Sequence, residues 1–425
     1  MPGIKAPRLL PRFFPFPYNK NKEEETVDRL YNFDTVIDRR GTNSEKWDRF
    51  EPPVLPLWVA DMDFPTAEPI VEALEERIRH RIFGYTNEIS GLREAILTWL
   101  EVRHQWKVRA EDIVLLPGVV TGFNLAARVF CKEGRDGRGP GPVLVQPPVY
   151  PPFLSVGENA GVPLLENPLI SPLTGTLQYQ IDFEGFETAL KQRPGMFLLC
   201  NPHNPVGRVF TRKELERMAE GCLRSGTLIC SDEIHADLTF SGHKHIPIAS
   251  LDQEIAERTI TLMSPSKTFN IPSLEFAFAV IPNPEIRKTF QQARKGCVGE
   301  VNLFGMIAAR AAYRHGTSWL DAVLRYLEEN RNYLAKAVKE NFTGIRMTTP
   351  EGTYLAWMDC TLAGFGAQPG RFFLDRARVG LNEGETFGSG GAGHVRLNFA
   401  CPRSLLEEAV HRIEQVFTAA SSPSC

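Results

Sequence analysis

Lys267 stands in Ser264-Pro265-Ser266-Lys267-Thr268-Phe269, a small, hydroxyl-bearing, kinked stretch that follows the apolar run Thr259–Met263. A lysine held at the mouth of a sheet can form a Schiff base. Desolvation and nearby cations lower its pKa and free the amine as a nucleophile or base. The other reading is a surface lysine in a loop. What stands at the neighbouring strand ends decides between them.

The apolar run Ile113–Leu116 is followed by Pro117-Gly118-Val119-Val120-Thr121-Gly122 and then a helical pattern over 123–131. A glycine turn feeding a helix start offers free N–H groups to an anion. An ordinary strand–helix turn has the same look. After the run 143–146, Tyr150 is flanked by prolines in Pro147-Pro148-Val149-Tyr150-Pro151-Pro152-Phe153. Its ring suits stacking on a flat heteroaromatic ligand, or equally a place in the core or an interface. After the run 197–200 comes Asn201-Pro202-His203-Asn204-Pro205-Val206-Gly207, a tight, rigid turn in which the Asn204 amide can donate to a ligand oxygen. Asp232 follows the run 228–231 in Asp232-Glu233-Ile234-His235-Ala236-Asp237. A carboxylate at the end of a buried strand needs a partner. A cationic ring nitrogen fits, as does a helix cap or an arginine.

These strand ends offer an anion cradle, a stacking ring, an amide donor, a carboxylate and a lysine. Pyridoxal 5'-phosphate needs that set. It has a dianionic phosphate, a flat ring, a phenolate oxygen, a ring nitrogen that works best protonated, and an aldehyde for lysine.

Near-continuous apolar runs separated by amphipathic helices indicate a mostly parallel sheet covered by helices, an α/β large domain. Thr211-Arg212-Lys213-Glu214 reads as a capping box opening one such helix, with Gly226 past its end. Ligands of such sheets sit at the carboxyl ends of the strands. Upstream, Pro65 is expected to open a helix over 66–81 with acids early and bases late. Beyond about residue 310 the pattern predicts helices over 317–342, 371–378 and 404–420 and strands over 353–359 and 394–399, a smaller α+β domain. The expected division is a Pro-rich arm (1–30), the N-terminal part of the small domain with a linking helix (31–80), the large cofactor domain (81–310) and the C-terminal small domain (311–425).

With 425 residues, 43% hydrophobic and 23% charged, the chain reads as a globular protein with room for a large core. A net charge of −3 gives no footprint for nucleic acid or an anionic membrane. The eight cysteines form no C-x-x-C pair, and several lie in apolar runs, which suits free thiols in a reducing compartment. No run reaches a membrane span of ~18 residues, and prolines interrupt the basic N-terminus where a signal peptide would be continuous. The expected location is cytoplasmic. His243-Lys244-His245 reads as a solvated loop rather than a metal site.

With these residues in view, the chain resembles the fold-type-I pyridoxal-phosphate enzymes over roughly residues 31–415. It is most similar to their cystathionine β-lyase and cysteine-S-conjugate β-lyase branch, related to class I/II aminotransferases. The likeness is carried by Val36-Ile37-Asp38-Arg39-Arg40-Gly41-Thr42, residues 58–64, Phe83-Gly84-Tyr85-Thr86, the loops described above, Ser231-Asp232-Glu233-Ile234-His235-Ala236-Asp237-Leu238 and residues 381–402. The resemblance implies roles. Lys267 forms the Schiff base and acts as general base, Asp232 pairs with the pyridinium nitrogen and Tyr150 stacks on the ring. Asn204, with His235 near it, contacts the phenolate oxygen and borders the substrate. Val119 and Val120 amides with Ser264 and Ser266 hold the phosphate. Tyr85 reaches the cofactor and substrate of a neighbouring subunit, implying a homodimer with shared sites. Arg396 binds the substrate α-carboxylate as a fork. The implied reaction is β-elimination from an S-substituted cysteine. An aminotransferase and a catalytically silent binding protein are the alternatives. Two positions depart from the pattern. Glu275 stands where many relatives carry a phosphate-binding arginine, so its side chain is expected to point away. Ser273 replaces a frequent glycine.

Overall fold

The computed structural model describes residues 31–132, 141–173 and 175–421. The expected arm over 1–30 lies outside the described residues. The chain divides into residues 1–32 and a compact unit of residues 33–425, which carries every element below.

In chain order the strands are β1 (Leu55–Pro56), β2 (Ile113–Leu116), β3 (Val143–Val145), β4 (Leu164–Glu166), β5 (Met196–Cys200), β6 (Leu228–Asp232), β7 (Thr259–Met263) and β8 (Ala277–Val280). They continue as β9 (Arg346–Met347), β10 (Leu355–Asp359), β11 (Val379–Gly380), β12 (Asn382–Glu383) and β13 (His394–Asn398). The central sheet has the order β2-β8-β7-β6-β5-β3-β4. Strands β4, β3, β5, β6 and β7 run parallel, while β8 is antiparallel to both β7 and β2. Residues of β5, β6 and β7 are buried throughout, which is why their runs are apolar without alternation. Half-exposed β4 has no such run, and the sequence reading missed it.

Helices cover the sheet. The helix expected over 123–131 starts earlier and spans Val119–Phe130, packing a glycine on the sheet. A Cβ on Gly122 would stand 2.7 Å from Leu262 Cδ2, so a larger residue there would require the leucine side chains between helix and β7 to shift. Arg212–Ser225 is a helix as expected, with the Thr211–Glu214 capping box formed and left-handed Gly226 at its end. The helix expected over 66–81 is Glu68–Arg79, with Pro69 in its first turn.

A second sheet, antiparallel, has the order β12-β13-β10-β9. The long helix Thr317–Asn341 and the closing helix Arg403–Ser421 belong to this part of the chain. The helix expected over 371–378 is a short turn, Pro369–Phe372, continued as a π-helical turn over Phe373–Ala377. Strand β1 pairs in parallel with β11, Leu55 opposite Val379 and Pro56 opposite Gly380. That ladder brings the segment after β1, residues 58–64, beside the C-terminal sheet. Asn398 Nδ2 donates to the carbonyls of Val59 and Asp61, both at 2.6 Å.

Candidate active site

Parallel register sets Cys200 opposite Asp232 and Asp232 opposite Leu262, so β5, β6 and β7 end side by side. Lys267 follows β7 in a one-turn helix, Pro265–Thr268, capped by the Ser264 side chain. Its Nζ donates to the Ala60 carbonyl at 2.7 Å. Burial is the main cause that lowers its pKa to about 8, with the charge of Arg396 assisting, so a fraction of the amine is free near neutral pH. Asp232 is buried at the end of β6, and its Oδ1 accepts from the Ile234 N–H at 3.1 Å. Burial pushes its pKa up to about 7, opposed by that hydrogen bond and by Lys267. A carboxylate that is hard to ionise alone is one that a cation would ionise.

Arg396, on β13, is buried with only neutral oxygens on its guanidinium. Nη1 donates to Asn204 Oδ1 at 3.0 Å, and Nη2 donates to Asn382 Oδ1 at 2.7 Å and the Trp58 carbonyl at 2.9 Å. The guanidinium carbon lies 5.0 Å from the centre of the Phe387 ring. Burial lowers its pKa to about 10, which leaves it cationic at neutral pH. A buried cation without a charged partner is a strong site for a carboxylate. Asn204 spends its oxygen on Arg396, which leaves its N–H groups as the donors. His235 is buried and held neutral, its pKa pushed to about 3 by burial and by the charges of Lys267 and Arg396. Tyr150 is partly buried, and the charges of Asp232 and Arg396 both act on its phenol.

Lys267, Asp232, His235, Arg396, Asn204 and Tyr150 thus converge. Val119 and Val120 occupy the first turn of their helix, whose N-cap, Gly118, supplies no side-chain cap. Amides at such a helix start can meet an anion. Ser264 and Ser266 are buried in the loop after β7. The Ser264 hydroxyl bonds the Phe276 carbonyl at 2.6 Å and lies 2.8 Å from Ser266 Oγ. Tyr85 stands apart: its side chain is fully exposed in the single chain. Glu275 is exposed at φ 51°, outside the buried cluster, and Ser273 is exposed as well.

Sequence reasoning assigned no role to Ala60, Tyr354, Asn382 or Asn398. The first acts through its backbone, which no side chain announces. It also read His245 as solvated, which the structure corrects. His245 is buried, with Nε2 2.7 Å from Glu233 Oε2. Glu233 in turn accepts from the Ser231 hydroxyl at 2.8 Å and the Ile248 N–H at 3.2 Å.

The loop after β6 therefore has two sides. Asp232 and His235 belong to the site, while Glu233 and Asp237 anchor the loop from behind. Asp237 accepts from Trp99 Nε1 at 3.1 Å and Thr268 Oγ1 at 2.9 Å, and lies 2.9 Å from His104 Nε2. Thr268 directly follows Lys267, so this buried carboxylate fixes the turn carrying the lysine. Asp237→Ala strands these donors in the core and is expected to cost about 3 kcal/mol or more in urea unfolding, with weaker cofactor retention. Parent-like unfolding would remove this anchoring role.

Pyridoxal phosphate fits this arrangement. Among the described residues, His235 Nδ1 and Arg396 Nε are buried without hydrogen-bond partners. With the uncapped helix start and the buried Asp232, they mark polar space for a charged, flat ligand and its amino-acid partner.

Residues 52–413 match the family model described as aminotransferase class I and II. Cystathionine beta-lyase PatB of Bacillus subtilis is 40% identical over 391 residues, covering 90% of this chain and 99% of that protein. The crystal structure of cystalysin from Treponema denticola, which contains pyridoxal 5'-phosphate, superposes with a TM-score of 0.86 at 32% identity, covering 92% of this chain and 100% of that one. The PLP-bound C-S lyase from Staphylococcus hominis gives 0.83 at 31% identity over 91% of this chain and 98% of that one. On these likenesses the chain belongs to the class I and II aminotransferase family, on its cystathionine β-lyase branch.

Proposed function

We propose that the protein is a pyridoxal-phosphate-dependent carbon–sulfur lyase. It converts an S-substituted L-cysteine and water to a thiol, pyruvate and ammonia. The observation that carries this reading is the buried, unneutralised Arg396 beside the Lys267 amine and the Asp232 carboxylate. A carboxylate, an α-amino group and a ring cation each find a partner there.

Pyridoxal phosphate, when bound, supplies an aldehyde for amines and a ring that takes up the electrons of the Cα–H bond. The protein's residues do the rest. Arg396 fixes the substrate carboxylate and with it the orientation of Cα. Lys267, with its amine free, would be the base that takes the Cα proton. Asp232 would hold a proton on the ring nitrogen, and its reluctance to stay charged in a buried site would strengthen that pairing. Tyr150 would cover a ring face, Asn204 would donate to the phenolate oxygen, and the Val119–Val120 amides with Ser264 and Ser266 would receive the phosphate.

The homodimer with Tyr85 at the partner's site is part of the reading. Its support is the exposed apolar set Ile78, Ile82, Phe83 and Tyr85. The division into a large domain over 81–310 and a small domain built from 31–80 and 311–425 is supported by the β1–β11 ladder. A cytoplasmic setting agrees with the free cysteines, buried except for Cys297 among those described. No described helix is long and apolar enough to cross a membrane. The substrate is a small amino acid, and neither nucleic acid nor membrane is expected as a partner.

The family match also covers transamination, which shares the first proton transfer. Incubation with S-substituted cysteines and no 2-oxo-acid acceptor separates the two. Thiol, pyruvate and ammonia in equal amounts are expected. Keto acid formed only after an acceptor is added would make the protein an aminotransferase, and no product from any substrate would leave a binding role.

A further inference from the structure

Residues 58–64 form a strap of backbone acceptors. Arg396 takes the Trp58 carbonyl, Asn398 those of Val59 and Asp61, and Asn270 those of Met62 and Phe64 at 3.0 and 2.9 Å. The Ala60 carbonyl lies between them and has two donors. Lys267 Nζ is at 2.7 Å and the Tyr354 hydroxyl at 2.9 Å. Tyr354 is 1% exposed, and its ring meets His235 edge-on at 5.9 Å. Burial holds its phenol well above the ordinary range, so it stays protonated and donates.

The chain goes to some length to put this hydroxyl there. Thr353, the preceding residue, has φ 68°, a left-handed conformation rare for a β-branched side chain. It is locked by its N–H on the Leu238 carbonyl at 2.8 Å and by its hydroxyl, which accepts from the Leu355 N–H at 3.2 Å. Strained backbone over-determined by its surroundings gathers where a side chain must be aimed.

We infer that Tyr354 is a positioning residue for Lys267. The hydroxyl and the amine share the Ala60 carbonyl, and this shared acceptor sets where the free amine waits and how readily it yields its proton. The inference rests on the lyase reading for its use, since that cycle frees Lys267 when the substrate amine takes its place. The contact itself needs only the lysine to be free.

The sign of the effect follows from competition. A hydrogen bond from the ammonium to the carbonyl favours the charged form. A second donor on the same oxygen draws on the same negative potential and weakens that preference. Removing the hydroxyl therefore strengthens the ammonium contact and makes the lysine harder to deprotonate. The charges facing the amine stay in place: Asp61 on the strap, Asp232 at the end of β6, Glu45 in the turn before Trp47, and Arg396 on β13.

The test uses the full-length chain freed of cofactor. It is pulsed with pyridoxal phosphate across about pH 6 to 10 and reduced with borohydride, and labelling of the Lys267 peptide is followed by mass spectrometry. The parent midpoint is expected near 8. In Tyr354→Phe it should rise by roughly half a unit or more, and Tyr354→Leu should move the same way, since both lack the hydroxyl. In the cofactor-loaded enzyme, kcat for thiol release should fall about tenfold with KM nearly unchanged. A midpoint unmoved in both variants overturns the inference, even if stability or turnover falls, because packing alone would do that. The labelling midpoint does not depend on which products form, so a failed lyase assay leaves this result readable.

Discussion

Lys267→Ala is expected to lose thiol and pyruvate release by at least about ten-thousandfold while remaining folded. The size follows from the two roles proposed for one residue: the nucleophile for the cofactor aldehyde and the base for the Cα proton. The other amine at residues 58–64, Lys46 Nζ, is held by Asp63 Oδ2 at 2.6 Å. Among the described contacts of the site, the remaining cation is the Arg396 guanidinium, which does not deprotonate at working pH. Lys267→Arg separates charge from chemistry. It keeps a cation that can meet the Ala60 carbonyl and Asp232, yet has no free amine, so it should be as inactive as the alanine variant. Methylammonium added to Lys267→Ala should recover a measurable part of thiol release, because the vacated space ends on a carbonyl already suited to an ammonium group. Thiol trapping with parallel circular dichroism checks all three. Either variant turning over near the parent rate would displace Lys267 from the chemistry.

How much of this was legible in the sequence depends on the kind of group. Buried parallel strands leave continuous apolar runs, so β2, β5, β6 and β7 and the loops after them could be read directly. Asp232 and Lys267 were visible because ionisable residues at the ends of such runs need a reason. Arg396 was visible for the same cause, a cation inside the apolar strand His394–Asn398. Short or half-exposed elements leave no such mark, and β4 went unseen. Backbone acceptors leave none at all, so the strap at residues 58–64 appeared as a motif without a role. Tyr354 and Asn382 come from far along the chain and meet the site only because β11 pairs with β1 and β10 with β13. His245 was misread because burial against Glu233 is a tertiary fact, and the adjoining His243 and Lys244 are indeed exposed. Tyr85 stays open in one chain, since its proposed target belongs to a second.

Asp232→Asn is expected to lower kcat about a thousandfold or more, and to stabilise the cofactor-free protein at neutral and alkaline pH. Both effects come from the same burial. Burial outweighs the nearby Lys267 charge, so the carboxyl has a folded-state pKa of about 7, against roughly 4 in an unfolded chain. Between those values the folded state holds a proton that the unfolded state has released, so unfolding becomes easier as pH rises. The penalty is absent below about pH 4, grows through the window and is complete above about pH 7, where it reaches the order of 3–4 kcal/mol. Asparagine carries no charge and escapes it. Urea unfolding of the cofactor-free proteins should therefore give similar stabilities near pH 4 and a more stable variant near pH 8. Adding pyridoxal phosphate should reverse the order, because a protonated ring nitrogen gives the aspartate its missing cation and gives asparagine nothing. If the parent gained no more from the cofactor than the variant, Asp232 would not be the ring's partner. A pH-independent difference between the cofactor-free proteins would show that the carboxyl is not held near neutrality by burial.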